Sequence, residues 1–204
     1  HAQLRPARWR LVAEGVASPD ITVQRLGLAR PTVRPVTQAD VTHSWRAGCP
    51  IHYSQLRLVD VNHYGFDGLM HRGQLVVQAK VVDRFVGLLQ NTIDNRFPLR
   101  TLHTVEAFRG DDIASGDANN TSAFNCRMTT GGTRWSDHAY GVAIDINPIE
   151  NPYTDGQILP AAGKAYLDRT NLRPGMLTAA SPVIRYALAN GWAWLSPYDF
   201  QHLE

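Results

Sequence analysis

Two segments near the end of the chain carry the residues best suited to chemistry: Ser136-Asp137-His138-Ala139-Tyr140-Gly141-Val142-Ala143-Ile144-Asp145 and Asp199-Phe200-Gln201-His202-Leu203-Glu204. His138, Asp145 and His202 offer two imidazoles and a carboxylate. Zinc hydrolases use such a three-ligand donor set and leave a fourth position for water. Asp199, three residues before His202, is a spare carboxylate able to take a proton from that water. A lone histidine is more often a surface or satisfied core residue than a ligand, so the surrounding sequence has to carry the argument. Gly141 permits a tight turn after His138. The run Val142–Ile146 then alternates like a short strand, with Val142, Ile144 and Ile146 on one face and Ala143 and Asp145 on the other. Asp145 can thus face a cleft while its neighbours anchor a core. With Phe200–Glu204 extended, His202 and Glu204 share a face, and Glu204 either supports the histidine or is a solvated carboxylate.

The elements that must position these residues can be read from periodicity and punctuation. Residues 1–40, rich in Arg, Pro and Val, read as an N-terminal arm or lead-in, and residues 41–204 as one domain. Thr42–Pro50 reads as a packed loop, and Gln55–Val61 as a strand. Gly65, Asp67-Gly68 and Gly73 suggest a hairpin returning through Gln74–Gln78. From Ala79 to Asn95, Val82, Phe85, Val86, Leu89 and Ile93 recur at helical spacing and give one apolar stripe. Leu99–Ala107 resembles another strand, and residues 109–134 a long polar loop of the kind that is often functional. Ser181 and Pro182 make an N-cap and first-turn pair, Gly191 a stop, and together they predict a helix over 182–190. Trp192–Leu195 alternates like a strand; Trp192 and Trp194 could line a glycan-binding wall but more often such residues are core. The expected fold is one α+β domain, with a small antiparallel sheet flanked by helices.

Bulk properties exclude several classes. A net charge of +2 with no basic run or basic helix face argues against a nucleic-acid partner. No apolar stretch approaches the roughly 18–20 residues that span a bilayer. The chain begins at His1 rather than Met, so a removed leader and an exported, extracellular or cell-wall-associated protein are expected, as a monomer. Cys49 and Cys126 sit in no C-x-x-C pair; they form either one structural disulfide, which suits an exported protein, or two buried thiols. His43, His52, His63, His71 and His103 show no paired metal spacing and are read as structural.

The pattern S-x-H-x-x-G-x-A-x-D, filled by Ser136, His138, Gly141, Ala143 and Asp145, resembles the signature of the zinc D-alanyl-D-alanine carboxypeptidase and L-alanyl-D-glutamate endopeptidase family, the VanY-like M15 peptidases. Asp199 and His202 match the family's second motif, a carboxylate three residues before a zinc histidine. The resemblance extends more weakly over about residues 45–204. It implies Zn²⁺ in a cleft on the sheet, held by His138, Asp145 and His202, with Asp199 as general base and a peptidoglycan stem peptide as substrate. Many members have Glu at the position of Asp199, and the endopeptidase branch uses Asp there. An arginine is also expected near the site, to stabilise the negative tetrahedral intermediate. Arg109 and Arg127 are the candidates, with Arg127 favoured should a Cys49–Cys126 bond hold it rigid. Ser136 is a candidate for orienting a ligand or the substrate.

The leading expectation is therefore a zinc metallopeptidase, with carboxypeptidase and endopeptidase action both open. Its rival is a zinc-bound, catalytically inactive cell-wall binding module of the same fold. A retained Asp199 beside an open metal position favours the enzyme, and a fourth protein ligand favours the module. Serine-type chemistry is disfavoured because the chain has no S-x-x-K and no G-x-S-x-G.

Overall fold

The computed structural model describes residues 31–204, together with four two-residue strands before them. Of those, Arg8–Trp9 pairs with Ile21–Thr22 and Val12–Ala13 with Val16–Ala17, both antiparallel. The other residues of 1–30, most of the arm expected over residues 1–40, lie outside the described residues.

Strands β1 (Thr32–Pro35), β2 (Leu56–Tyr64) and β3 (Met70–Gln78) form an antiparallel sheet in that order. The β2–β3 register runs from Leu56↔Gln78 to Tyr64↔Met70, so the expected hairpin is present and its return strand starts at Met70 rather than Gln74. β1 lies within the span assigned to the lead-in, so the sheet recruits residues from before position 41. Strand alternation sends side chains of β2 and β3 into two separate cores. Val59, Val61, Leu75 and Val77 pack with the helices α1 (Val82–Asp94) and α3 (Pro182–Ala189). Leu56, Leu58 and Val76 pack on the opposite side with Val36, Val41, Ile51, Phe124 and Cys126. Both faces of the sheet are covered, which is why these strands contain so many apolar residues.

The helices follow their sequence signals. α1 buries Phe85, Leu88, Leu89, Thr92 and Ile93, the stripe that a 3.6-residue period dictates. α3 is capped by the Ser181 hydroxyl, which accepts from the Ile184 N–H at 3.3 Å. Gly191, in the left-handed region at φ +79°, follows its end. Trp192 is core, stacked edge-on against Phe85 at 4.9 Å. Trp194 is partly buried against the same core, with its Nε1–H donating to the Phe200 carbonyl. Neither is a glycan-facing wall.

Three expectations are corrected. Leu99–Ala107 is not one strand: only β4 (Thr101–Leu102) pairs, and a 3₁₀ turn follows at Val105–Phe108. The cause is Asn120, whose side-chain amide takes both the N–H and the C=O of His103 and so ends the ladder. Residues 109–134 are not one long polar loop. They contain α2 (Asp112–Asp117), the strand β5 (Asn120–Thr121), parallel to β4, and an extended run from Ser122 to Cys126 that is buried throughout. Trp192–Leu195 forms no strand, only a bridge between Trp194 and Leu203.

Cys49 and Cys126 are joined in a disulfide, with Cα atoms 5.9 Å apart and a sequence separation of 77. Closing so long a loop lowers the entropy of the unfolded chain, and such bonds typically stabilise by about 2–4 kcal/mol. The C49S/C126S double variant is therefore expected to unfold at lower urea concentration by about that free energy. An unchanged midpoint in non-reducing buffer would show that the bond contributes nothing.

Candidate metal centre

Strands β6 (Ile144–Asp145) and β7 (His202–Leu203) pair antiparallel with Asp145 directly opposite His202. The ladder is separate from the three-stranded sheet, so the centre sits beside that sheet and not on it. His138 arrives from a 3₁₀ turn, Asp137–Tyr140, capped by Ser136, whose hydroxyl accepts from the His138 N–H at 3.4 Å. Gly141 ends the turn at φ +69°, where a Cβ would lie 2.8 Å from the Gln78 nitrogen. Only glycine fits there. The Gln78 N–H donates to the Gly141 carbonyl at 2.9 Å, tying the turn to the end of β3.

His138 Nε2 lies 3.1 Å from Asp145 Oδ2, and His202 Nδ1 lies 3.0 Å from Asp145 Oδ1. The two imidazoles approach within 3.1 Å, Nε2 to Nδ1. These three residues form a group whose donor atoms all lie within 4.8 Å of one another, a cluster able to hold a metal ion. The outer ring nitrogens fix the tautomers. His138 Nδ1 is 2.5 Å from the Ala123 carbonyl, which can only accept, so Nδ1 carries the hydrogen and Nε2 presents a lone pair. His202 Nε2 faces Glu204 Oε2 at 3.1 Å, which turns Nδ1 inward in the same way. Two lone pairs facing each other beside a carboxylate repel, and either a proton on His202 or a cation between the rings relieves that repulsion.

The electrostatics agree. Burial by itself would raise the Asp145 carboxyl, but His138 and His202 hold it well below the usual carboxylate range. Burial opposes charging of His202, yet its hydrogen bonds to the Asp145 and Glu204 carboxylates push it up to about 10. Glu204, hydrogen-bonded to His202, drops to about 2. Burial, and then the neighbouring Glu204, raise the Asp137 carboxyl above its usual value. The centre is thus a strongly cation-attracting pocket with oriented outer partners.

Asp199 stands outside the cluster. Its Oδ1 is buried and makes no hydrogen bond among the described residues, and burial, then the nearby Asp145, raises its pKa to about 6. Arg127 contacts Asp112 at 2.7 Å through Nε and Asp145 Oδ2 at 3.8 Å through Nη2. The neighbouring Cys126 is fixed by the disulfide. Arg109 is exposed, ends the Val105–Phe108 turn in the left-handed region at φ +56°, and makes no ion pair with the centre among the described residues. Of the two arginines, the structure brings Arg127 to the centre. Sequence reasoning missed Asp112, Asp137 and Tyr153, for none lies at a diagnostic spacing.

The centre lies where two recesses meet. One, of about 580 Å³, is lined by residues including Asp112, Asp117, Asp145 and Pro160. The other, of about 970 Å³, is lined by residues including Arg134, Tyr198, His202 and Glu204. Arg127, Thr130, Tyr153 and Asp199 line both.

The buried, oriented His138–Asp145–His202 set is a donor group able to hold a metal ion, and the Asp199 Oδ1 beside it has no hydrogen-bond partner among the described residues. Residues 130–204 match the family model described as D-alanyl-D-alanine carboxypeptidase, and that match supports an M15-family peptidase. The matched span contains His138, Asp145, Asp199 and His202 but begins well after residue 45. No curated protein and no solved structure matches the chain.

One divalent metal is expected at this centre, lost from it in His138→Ala and in His202→Ala. Glu204→Gln is expected to weaken binding by about 10–100-fold, the usual cost of removing a partner that orients a ligand. Metal content and a calorimetric titration check both. Full occupancy in the histidine variants would disprove the assignment.

Proposed function

We propose that the protein is a zinc-dependent endopeptidase acting on peptidoglycan stem peptides outside the cell. The observation that carries the endopeptidase choice is the cleft, which continues past the centre on both sides. A carboxypeptidase needs a wall just beyond the scissile bond, whereas two recesses joined at Arg127, Tyr153 and Asp199 can accept chain on either side. The disulfide suits an oxidising, exported location. Among the described residues no helix is long and apolar enough to cross a membrane.

His138, Asp145 and His202 would hold the zinc, which supplies a Lewis acid and acidifies water at its open position. Asp199 Oδ1, without a hydrogen-bond partner among the described residues, would accept a proton from the attacking water and pass it to the leaving amine. The Arg127 guanidinium, steadied by Asp112, offers positive charge to the carbonyl oxygen as it becomes negative. Ser136 acts on the turn that carries His138, through the backbone rather than through substrate. A fourth protein ligand would favour the rival, an inactive binding module. The convergent group holds three residues, with Asp199 apart from it.

Asp199→Ala is expected to lower the rate by about 10²–10⁴ while zinc stays bound, and Asp199→Glu to retain more activity. A base must be ionised, so activity rises as pH increases through the Asp199 pKa. Burial sets that near 6, and a cation at the cluster lowers it, so the acid limb of the rate profile is expected at or below about pH 6. Mass analysis of products from defined muropeptides distinguishes the reactions. Cleavage within the stem supports the proposal; release of terminal D-alanine alone would replace it with carboxypeptidase action. Undiminished hydrolysis by Asp199→Ala at full zinc occupancy would place the base elsewhere.

A further inference from the structure

Arg84, in the first turn of α1, reaches across to the segment that carries His202. Its Nη2 donates to the Gly191 carbonyl at 2.6 Å and to the backbone oxygen of Glu204 at 3.0 Å. The guanidinium lies over the Trp192 ring, 4.0 Å from the centroid. Trp192 is in turn buried against Phe85, the next residue of α1. Arg84 Nε is buried without a hydrogen-bond partner among the described residues, and burial lowers the pKa of the group. An arginine free to turn into water would avoid that cost. This one is kept in place by two oxygens and an aromatic face, a combination that suits a planar guanidinium better than an ammonium.

Glu204 is the residue through which this contact bears on the centre. Its Oε2 lies 3.1 Å from His202 Nε2, and His202 Nδ1 lies 3.0 Å from Asp145 Oδ1. The Glu204 side chain is 32% exposed, so water competes with His202 for the carboxylate. The backbone is what can be fixed. The Glu204 N–H donates to the Ala193 carbonyl at 3.1 Å, and the Glu204 oxygen accepts from the Ala193 N–H at 2.7 Å as well as from Arg84. With that backbone held, only side-chain rotation can take the carboxylate off the ring. The anchor also belongs to the right body. α1 packs on Val59, Val61, Leu75 and Val77 of the sheet, and the same sheet holds the His138 turn through the Gln78 N–H.

We propose that Arg84 is a positioning residue of the metal centre: it holds the Glu204 backbone so that the carboxylate stays on His202 Nε2 and the ring presents Nδ1 beside Asp145 and His138. The proposal rests on the reading of His138, Asp145 and His202 as metal ligands. Arg84 belongs neither to that donor group nor to the lining of either recess, and it acts through Glu204.

Zn²⁺ affinity, measured by competition with a chromophoric chelator, is compared in wild type, Arg84→Met, Glu204→Gln and the R84M/E204Q double variant. Arg84→Met is expected to weaken Zn²⁺ about tenfold, the low end of what losing an orienting partner costs. In the Glu204→Gln background the same change is expected to have no further effect, because the route through the carboxylate is already cut. Arg84→Lys keeps a donor without the stacking and is expected to recover part of the loss; it carries the comparison where Arg84→Met does not fold. A second readout needs no metal. The hydrogen on His202 Nε2, followed by NMR in metal-free protein, is expected to exchange with water faster in Arg84→Met than in wild type, and equally fast in Glu204→Gln and the double variant. Unchanged affinity and exchange in Arg84→Met would overturn the proposal. So would an equal loss in both backgrounds, which would make Arg84 a general support of the fold. Wild-type protein that takes up no zinc would sink the ligand assignment instead, and the ring-hydrogen comparison then decides for or against Arg84.

Discussion

The extended run Ser122–Cys126 is the constraint on which the centre depends. On one side the Phe124 N–H donates to the Val76 carbonyl of β3. On the other, Ser122 exchanges both backbone bonds with Asp145, and the Asn125 N–H donates to the His138 carbonyl. The Ala123 carbonyl then fixes the His138 tautomer. At its end, Cys126 is bonded to Cys49 and leads into Arg127. One strand-like segment thus references His138, Asp145 and the charged Arg127 to the same rigid sheet. Its backbone is satisfied on both sides, so moving it would strand buried N–H and C=O groups.

Polar residues hold that arrangement together from within. Asn120 joins His103, Thr101 and Ser115; Asn147 takes the Arg100 N–H and donates to Pro98 and Gly175; Asn151 reaches Leu177 and Arg169. All three asparagines are fully buried. Side-chain amides can donate and accept together, so they stitch irregular chain where no ladder can form. A region without much regular secondary structure is nevertheless fixed, as a catalytic geometry requires. Asp199 is the contrast. It is buried near Asp145 with an idle oxygen, an unfavourable position for a structural carboxylate and a useful one for a base.

Local sequence determined much of this. Residue type and spacing marked His138, Asp145, His202 and Asp199, because a strand of period two and a glycine turn constrain where side chains point within a few residues. Ser181, Pro182 and Gly191 bounded α3 for the same reason: capping is a local interaction. α1 was legible from one apolar stripe. What the sequence left open depended on partners distant along the chain. The strand expected over Leu99–Ala107 stops at Leu102 because Asn120 intercepts His103, and nothing near residue 103 announces that. Residues 109–134 look solvated by composition, yet Asn119, Asn120, Thr121, Ser122 and Asn125 are buried, since each polar group finds a partner only in the folded chain. The choice of Arg127 over Arg109 followed from the disulfide and from Asp112, two contacts that composition cannot reveal. Periodicity and capping act over a few residues and survive in the sequence as pattern; cross-chain hydrogen bonds and the shape of a cleft exist only once distant segments have met.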